Sequence, residues 1–345
     1  MVVRGIPHLI PFVVSTCPDK SLSIPETGSI VAEFVPEADS EGGNMRKFIV
    51  LFVVIGIVVS GCQSIPHKTA GSPSMKEILA NGTNIVYQEQ GRGVPVVFVH
   101  GVYADHRVWE YQREAVAAHY RFIAIDQRYY GIAPWTDNGW RHSQSTHAED
   151  LAAFVRGLRA GPVHLVGISY GASIVVIMTV EHPELVRTLT VQEPPIRSAV
   201  TDPAELMIVE EEEKTIAPAL AAGKAWKSEE ATRLFYEWVE AAPGGFDNLP
   251  PAEKAIYLEN SHTVPLFFHS PPPPPVSCAQ LAAIKVPVLI TTGERSRPFF
   301  KVTEGAVHRC IPGSLEVVMS NVSHYAPSQN PSAYNAVLLG FLEKH

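Results

Sequence analysis

The sequence predicts an α/β fold: a mostly parallel central sheet, helices on both of its faces, and a helical insertion. Three observations predict it. From about Met75 onward, short apolar runs alternate with helix-like segments, the pattern of strand–helix–strand units. The runs are apolar nearly throughout, as strands covered on both faces are. Polar residues recur just past their carboxyl ends, where open α/β sheets bind ligands.

The segments that precede this body carry a different signal. Residues 1–44 hold several Pro and a Gly-Gly pair without a sustained helical or strand period. They are expected to be a disordered tail or an over-extended N-terminus. Phe48 to Val59 is an apolar run with Met45-Arg46-Lys47 before it and Ser60-Gly61-Cys62 after it. It is short for a membrane span, and basic start, apolar middle and small-residue end together make a secretory signal. Val59-Ser60-Gly61-Cys62 resembles the bacterial lipobox, which implies cleavage before Cys62 and lipidation of its thiol. Residues 45–61 are then a signal peptide and 62–77 a tether. The resemblance implies a lipid-anchored protein of the bacterial cell envelope. Gln63, where Asp would favour inner-membrane retention, points to the outer membrane facing the periplasm.

The body, residues 78–345, reads in order. Ile85-Val86-Tyr87 begins the strands and leads to the turn Gly91-Arg92-Gly93. Val94 to Val99 ends in His100-Gly101, Phe122 to Ile125 in Asp126, and Val163 to Ile168 in Ser169. Leu189 to Val191 leads to Glu193, and Val286 to Ile290 to Gly293. Between them, Leu151, Ala152, Val155 and Leu158 form the apolar side of one helix. Tyr334, Val337, Leu338, Phe341 and Leu342 form that of the last. Residues 194–277 break the alternation and read as a helical lid, with Pro271 to Pro275 as a stiff return. The acidic run Glu210 to Glu213 reads as a solvated helix face.

Composition narrows the function. The chain has 345 residues, 46% hydrophobic and 18% charged, with net charge −8. That leaves no basic face for nucleic acid. Its four Cys show no zinc spacing, and none of its His pairs with another at helical ligand spacing, so neither a metal nor a cofactor is expected. A small-molecule substrate is the remaining partner.

The sharpest motif is Gly167-Ile168-Ser169-Tyr170-Gly171, placed directly after a strand and opening a helix. A turn this tight tolerates only small flanking residues, hence the two glycines, and it lifts the Ser169 hydroxyl to a helix N-terminus. With His100-Gly101 and Ser323-His324, it makes the chain resemble the α/β-hydrolase superfamily over about residues 78–345. The resemblance implies Ser169 as nucleophile, His324 as general base, and the N–H groups of Val102 and Tyr170 as oxyanion hole. It assigns the His100 side chain to holding its loop.

The acid departs from the commonest pattern of that superfamily. Gly293-Glu294-Arg295-Ser296 puts Ser296 where an Asp is usual, and a hydroxyl cannot balance an imidazolium. Glu193, 24 residues after Ser169, is the preferred substitute. Zearalenone-lactonase-like hydrolases and some haloalkane dehalogenases take their acid from there. Glu294 is the alternative. The implied reaction is hydrolysis of an ester, lactone or related carbonyl through an acyl-enzyme. The rival readings are a ligand-binding or sensory protein on the same fold, and a C–C bond hydrolase or cofactor-free haloperoxidase-like enzyme. Asp126 is expected to bind backbone N–H groups in its turn. Trp109, Tyr129, Tyr130, Trp135 and Trp140 are candidates for an aromatic pocket or for packing under the lid. Cys278 and Cys310 are left as either a disulfide or two buried thiols.

Overall fold

The computed structural model describes residues 72–345 apart from 132 and 136. The expected signal peptide, Cys62 and the first part of the tether lie outside the described residues. Eight strands form one sheet: β1 Ser74–Ala80, β2 Thr83–Gly91, β3 Pro95–Val99, β4 Arg121–Ile125, β5 Val163–Ile168, β6 Val186–Gln192, β7 Val288–Gly293 and β8 Leu315–Met319. Their order is β1-β2-β4-β3-β5-β6-β7-β8. β2 is antiparallel to both neighbours, and every pair from β4 across to β8 is parallel.

The sheet begins earlier than expected. Ser74 to Glu77, read as tether, pair with β2 in the edge strand β1. The device that holds them is the Asn81-Gly82 turn, both residues at positive φ (46° and 77°), which matches the twist of a two-residue hairpin. Met75 and Leu79 are exposed on this edge, so β1 lacks the buried apolar run that marks the inner strands.

The inner strands divide their side chains by strict alternation. Val97, Val99, Ile123, Ile125 and Leu165 point to one core, Val96, Phe98, Phe122, Ala124 and Val166 to another. Helices Gln144–Leu158 and Tyr170–Glu181 cover the first face, and Glu110–Ala117 with Pro331–Leu342 cover the second. Between β6 and β7 lie five helices of the insertion, from Pro203 to His269. Asp202 caps the first of them through Ala204 N–H (2.8 Å). Ser228–Glu240 turns Ala231, Phe235 and Val239 inward, one residue per turn. The acidic run is not wholly solvated, since Glu212 binds Arg297 of the sheet body at 2.7 Å. Cys278 and Cys310 are joined in a disulfide that ties the end of the insertion to helix Pro298–Cys310. Among the described residues no helix is long and apolar enough to cross a membrane.

Candidate active site

Ser169 sits between β5 and the helix Tyr170–Glu181 with φ 55° and ψ −121°. The flanking glycines are required there. A Cβ on Gly171 would stand 2.4 Å from the carbonyl oxygens of Val99 and His100, and one on Gly167 2.6 Å from that of Gly171. The turn is held by Ser169 N–H donating to the Gln192 carbonyl (2.9 Å) and Ser173 N–H to that of Ser169 (3.1 Å). Strained φ of this kind costs about 1–3 kcal/mol and persists only where the surroundings enforce it. Tyr103 (φ 51°) and Glu193 (φ 50°) share it, so three residues of this one site carry such strain.

His324, in the loop after β8, is buried, and its Nδ1 lies 2.6 Å from Glu193 Oε2. Glu193, fully buried at the end of β6, accepts at Oε1 from Gly293 N–H (2.7 Å), Thr292 Oγ1 (3.1 Å) and the Ser296 hydroxyl. Burial pushes its carboxyl up, but His324 and these donors outweigh that and hold it below the ordinary carboxylate range. It therefore stays ionised beside the ring. The Phe300 ring stacks on His324 at 4.1 Å between centroids, fixing its plane. Glu294 is elsewhere: its carboxylate accepts from Asn321 N–H (2.8 Å) and braces the turn, without touching His324. Sequence reasoning missed the Ser296–Glu193 bond. The signal was the Ser at the usual Asp position, whose hydroxyl donates to the Glu193 carboxylate.

Ser169 and His324 line the same cavity, although no direct hydrogen bond joins them among the described residues. Val102 lines that cavity too, and its N–H, like that of Tyr170 at the start of its helix, is taken by no backbone carbonyl in the described loops. His100 is buried, binding Gly101 O and Gln127 N–H and so bracing the loop. Asp126 does the same on the neighbouring loop, accepting from His106 N–H (2.8 Å) and Nδ1 (2.7 Å). Asp105, His106 and Asp126 converge, but Asp105 is engaged by Arg107 and Asn260, leaving the group spent on loop structure.

Ser169 stands where two chambers meet. The smaller, about 50 Å³, is walled by Tyr103, Trp109, Tyr257 and Tyr325. The larger, about 460 Å³, is walled by Phe235, Phe267, Phe268, Phe299 and Phe300. Of the five aromatics proposed from sequence, only Trp109 reaches either chamber. Tyr129 and Tyr130 are buried in the loop after β4, and Trp135 and Trp140 are exposed. The aromatics that do line the site come mostly from the insertion, whose inward face one sequence does not reveal.

Residues 96–337 match the alpha/beta hydrolase family. The chain belongs to that family. Among its relatives, the hydrolase is 24% identical over 269 residues to the 2-(acetamidomethylene)succinate hydrolase of Mesorhizobium japonicum, covering 74% of this chain and 90% of that one. Its fold is similar to that of Est816, an N-acyl homoserine lactone degrading enzyme, with TM-score 0.62 and 22% identity over 77% of this chain and 100% of that one. Carboxylesterase CesB (YbfK) from Bacillus subtilis gives TM-score 0.61 and 17% identity over 79% and 92%.

Proposed function

We propose that this hydrolase is a serine esterase or lactonase with a Ser169–His324–Glu193 triad. The buried Glu193–His324 pair, beside a strained serine elbow, is the observation that carries the reading. Ser169 Oγ attacks the substrate carbonyl as His324 Nε2 takes its proton, with Nδ1–H held on Glu193. Val102 and Tyr170 N–H groups receive the oxyanion, each worth about 3 kcal/mol in such sites. His324 returns the proton to the leaving oxygen, then activates the water that releases the acyl group.

The chambers favour a neutral, apolar substrate. Their lining offers two arginines, and both are spent: Arg107 on Asp105 and Glu259, Arg197 on Glu210 and Glu213. A succinate derivative, as named for the Mesorhizobium relative, would find no unpaired guanidinium. A panel of neutral p-nitrophenyl esters, lactones, a succinate amide and a ring-cleavage diketone tests this. Ester or lactone turnover, lost in Ser169→Ala, is expected; turnover of the diketone alone, or none, contradicts it.

We also propose that the hydrolase is held in the cell envelope by a lipid on Cys62, the reading that best accounts for the run from Met45 to Cys62. Labelled palmitate should enter the wild-type protein but not Cys62→Ala in a bacterial host. Equal labelling, or none in either, contradicts the anchor.

A further inference from the structure

Beside the site lies a half-buried carboxylate that the triad does not use. Glu240 ends the insertion helix Ser228–Glu240, and its Oε2 accepts from the Ser323 hydroxyl (2.6 Å) and Gln329 Nε2 (2.7 Å). Ser323 immediately precedes His324, and its own N–H donates to Gln329 Oε1 (2.8 Å). One carboxylate on the insertion thus holds both the residue before His324 and the end of the short helix Ala326–Gln329 that follows it. Its other oxygen, Oε1, is buried with no hydrogen-bond partner. Among the described residues no Lys or Arg pairs with it.

We propose that Glu240 is a positioning residue that docks the insertion onto the His324 loop and supplies a second negative charge beside the imidazolium. The proposal rests on Ser169 and His324 acting as above. Glu240 takes no proton in the cycle: the Ser169 proton moves to His324 Nε2 and on to the leaving group. The carboxylate only makes the charged ring easier to form and holds its loop in register. Because it sits on the insertion, the base is fully held only while the insertion is seated.

Among the charged groups that act most on Glu240, His324 is the potential cation. The Glu240 charge also acts on Tyr236 of its own helix, Tyr257 of helix Pro251–Glu259 and Tyr103 of the loop after β3, all phenols that burial pushes up and keeps neutral. Glu193 acts on Glu240 as a like charge. Burial raises the Glu240 carboxyl on balance, and the Ser323 hydroxyl, His324 and Gln329 offset that only in part. A charge set against one ring in this way tunes that ring.

The test compares Glu240→Gln, which removes the charge but keeps the shape, with Ser323→Ala, which removes the bond next to His324 but keeps the charge. With p-nitrophenyl butyrate, Glu240→Gln is expected to lower kcat about tenfold with KM little changed. The acid limb of its kcat/KM profile should move to lower pH by about one unit. Ser323→Ala should lower kcat without moving that limb. Histidine NMR titration, with His324→Gln identifying the resonance, should show the same shift in Glu240→Gln whether or not the ester is turned over. Melting curves check that each variant is folded. An unmoved His324 titration in folded Glu240→Gln, or equal shifts in both variants, overturns the proposal. Absence of ester turnover with the shift present overturns the proposed function and not this inference.

Discussion

Glu193 shows how one residue repays a strained backbone. It holds a left-handed conformation that a non-glycine residue adopts at a cost, yet it is fully buried and bonded through both oxygens. Its position was legible because it ends an apolar strand at a fixed distance from Ser169. Ser296, its partner, was legible only as the absence of an Asp, since a hydrogen bond between residues 103 apart leaves no local pattern. Buried histidines give the residue scale its own prediction. Burial holds His142 down at about 3 and His164 at about 4, and depresses His100 and His147 as well. These rings stay neutral when folded but protonate near 6.5 when unfolded. Their contribution is whole above about pH 6.5 and is lost progressively as pH falls toward the folded values. Glu304, pushed up to about 8 chiefly by burial, acts in the opposite sense over part of that range. The raised Glu181, Glu240 and His106 act with Glu304, and the four buried rings, each denied its proton across this whole range, set the direction. The thermal midpoint should be lower at pH 5 than at pH 7.5, and an equal or higher midpoint would contradict this balance.

Elements were legible in proportion to how completely they are buried. The inner strands announce themselves because both faces are covered, and each ends close to where its apolar run ends. The edge strand β1 was hidden, having Met75, Lys76 and Glu77 exposed and only the Asn81-Gly82 turn to mark it. Within the insertion, helices could be counted on but not oriented, because which face turns inward depends on what they pack against. Phe235 and Val239 became site residues only once Ser228–Glu240 had a partner surface. The disulfide also belongs to this scale, since sequence does not show that two cysteines 32 residues apart approach. It anchors helix Pro298–Cys310, whose Phe300 stacks on His324. Closing a loop of that length is worth about 3–4 kcal/mol in the chain-entropy model. Cys278→Ser with Cys310→Ser should lower the melting midpoint of the oxidised protein by several degrees, and an unchanged midpoint would contradict that role.

At the scale of the molecule, the sheet supplies fixed points and the insertion supplies shape. Ser169, Glu193 and His324 stand at or just beyond the carboxyl ends of β5, β6 and β8, as open α/β sheets place their sites. Their relation to one another follows from strand order, which explains why the sequence could nominate these three residues while leaving the substrate open. Fold alone carries no substrate. The two chambers, one narrow and rich in phenols and one wide and lined by Phe, are properties of the insertion meeting the sheet. Arg297, bonded to Glu212 and the Trp238 carbonyl, is one of the contacts that seats it.

The proposed mechanism turns on which carboxylate serves His324. The deciding measurement is ester turnover by Glu193→Gln beside Glu294→Gln, each first shown to be folded by circular dichroism. Glu193→Gln should lose about 10³–10⁴-fold in kcat, as loss of the triad carboxylate does. Glu294→Gln should stay within about twofold of wild type, as expected of a surface turn residue. Near-wild-type turnover in Glu193→Gln, with the loss falling on Glu294→Gln instead, would contradict the assignment of Glu193.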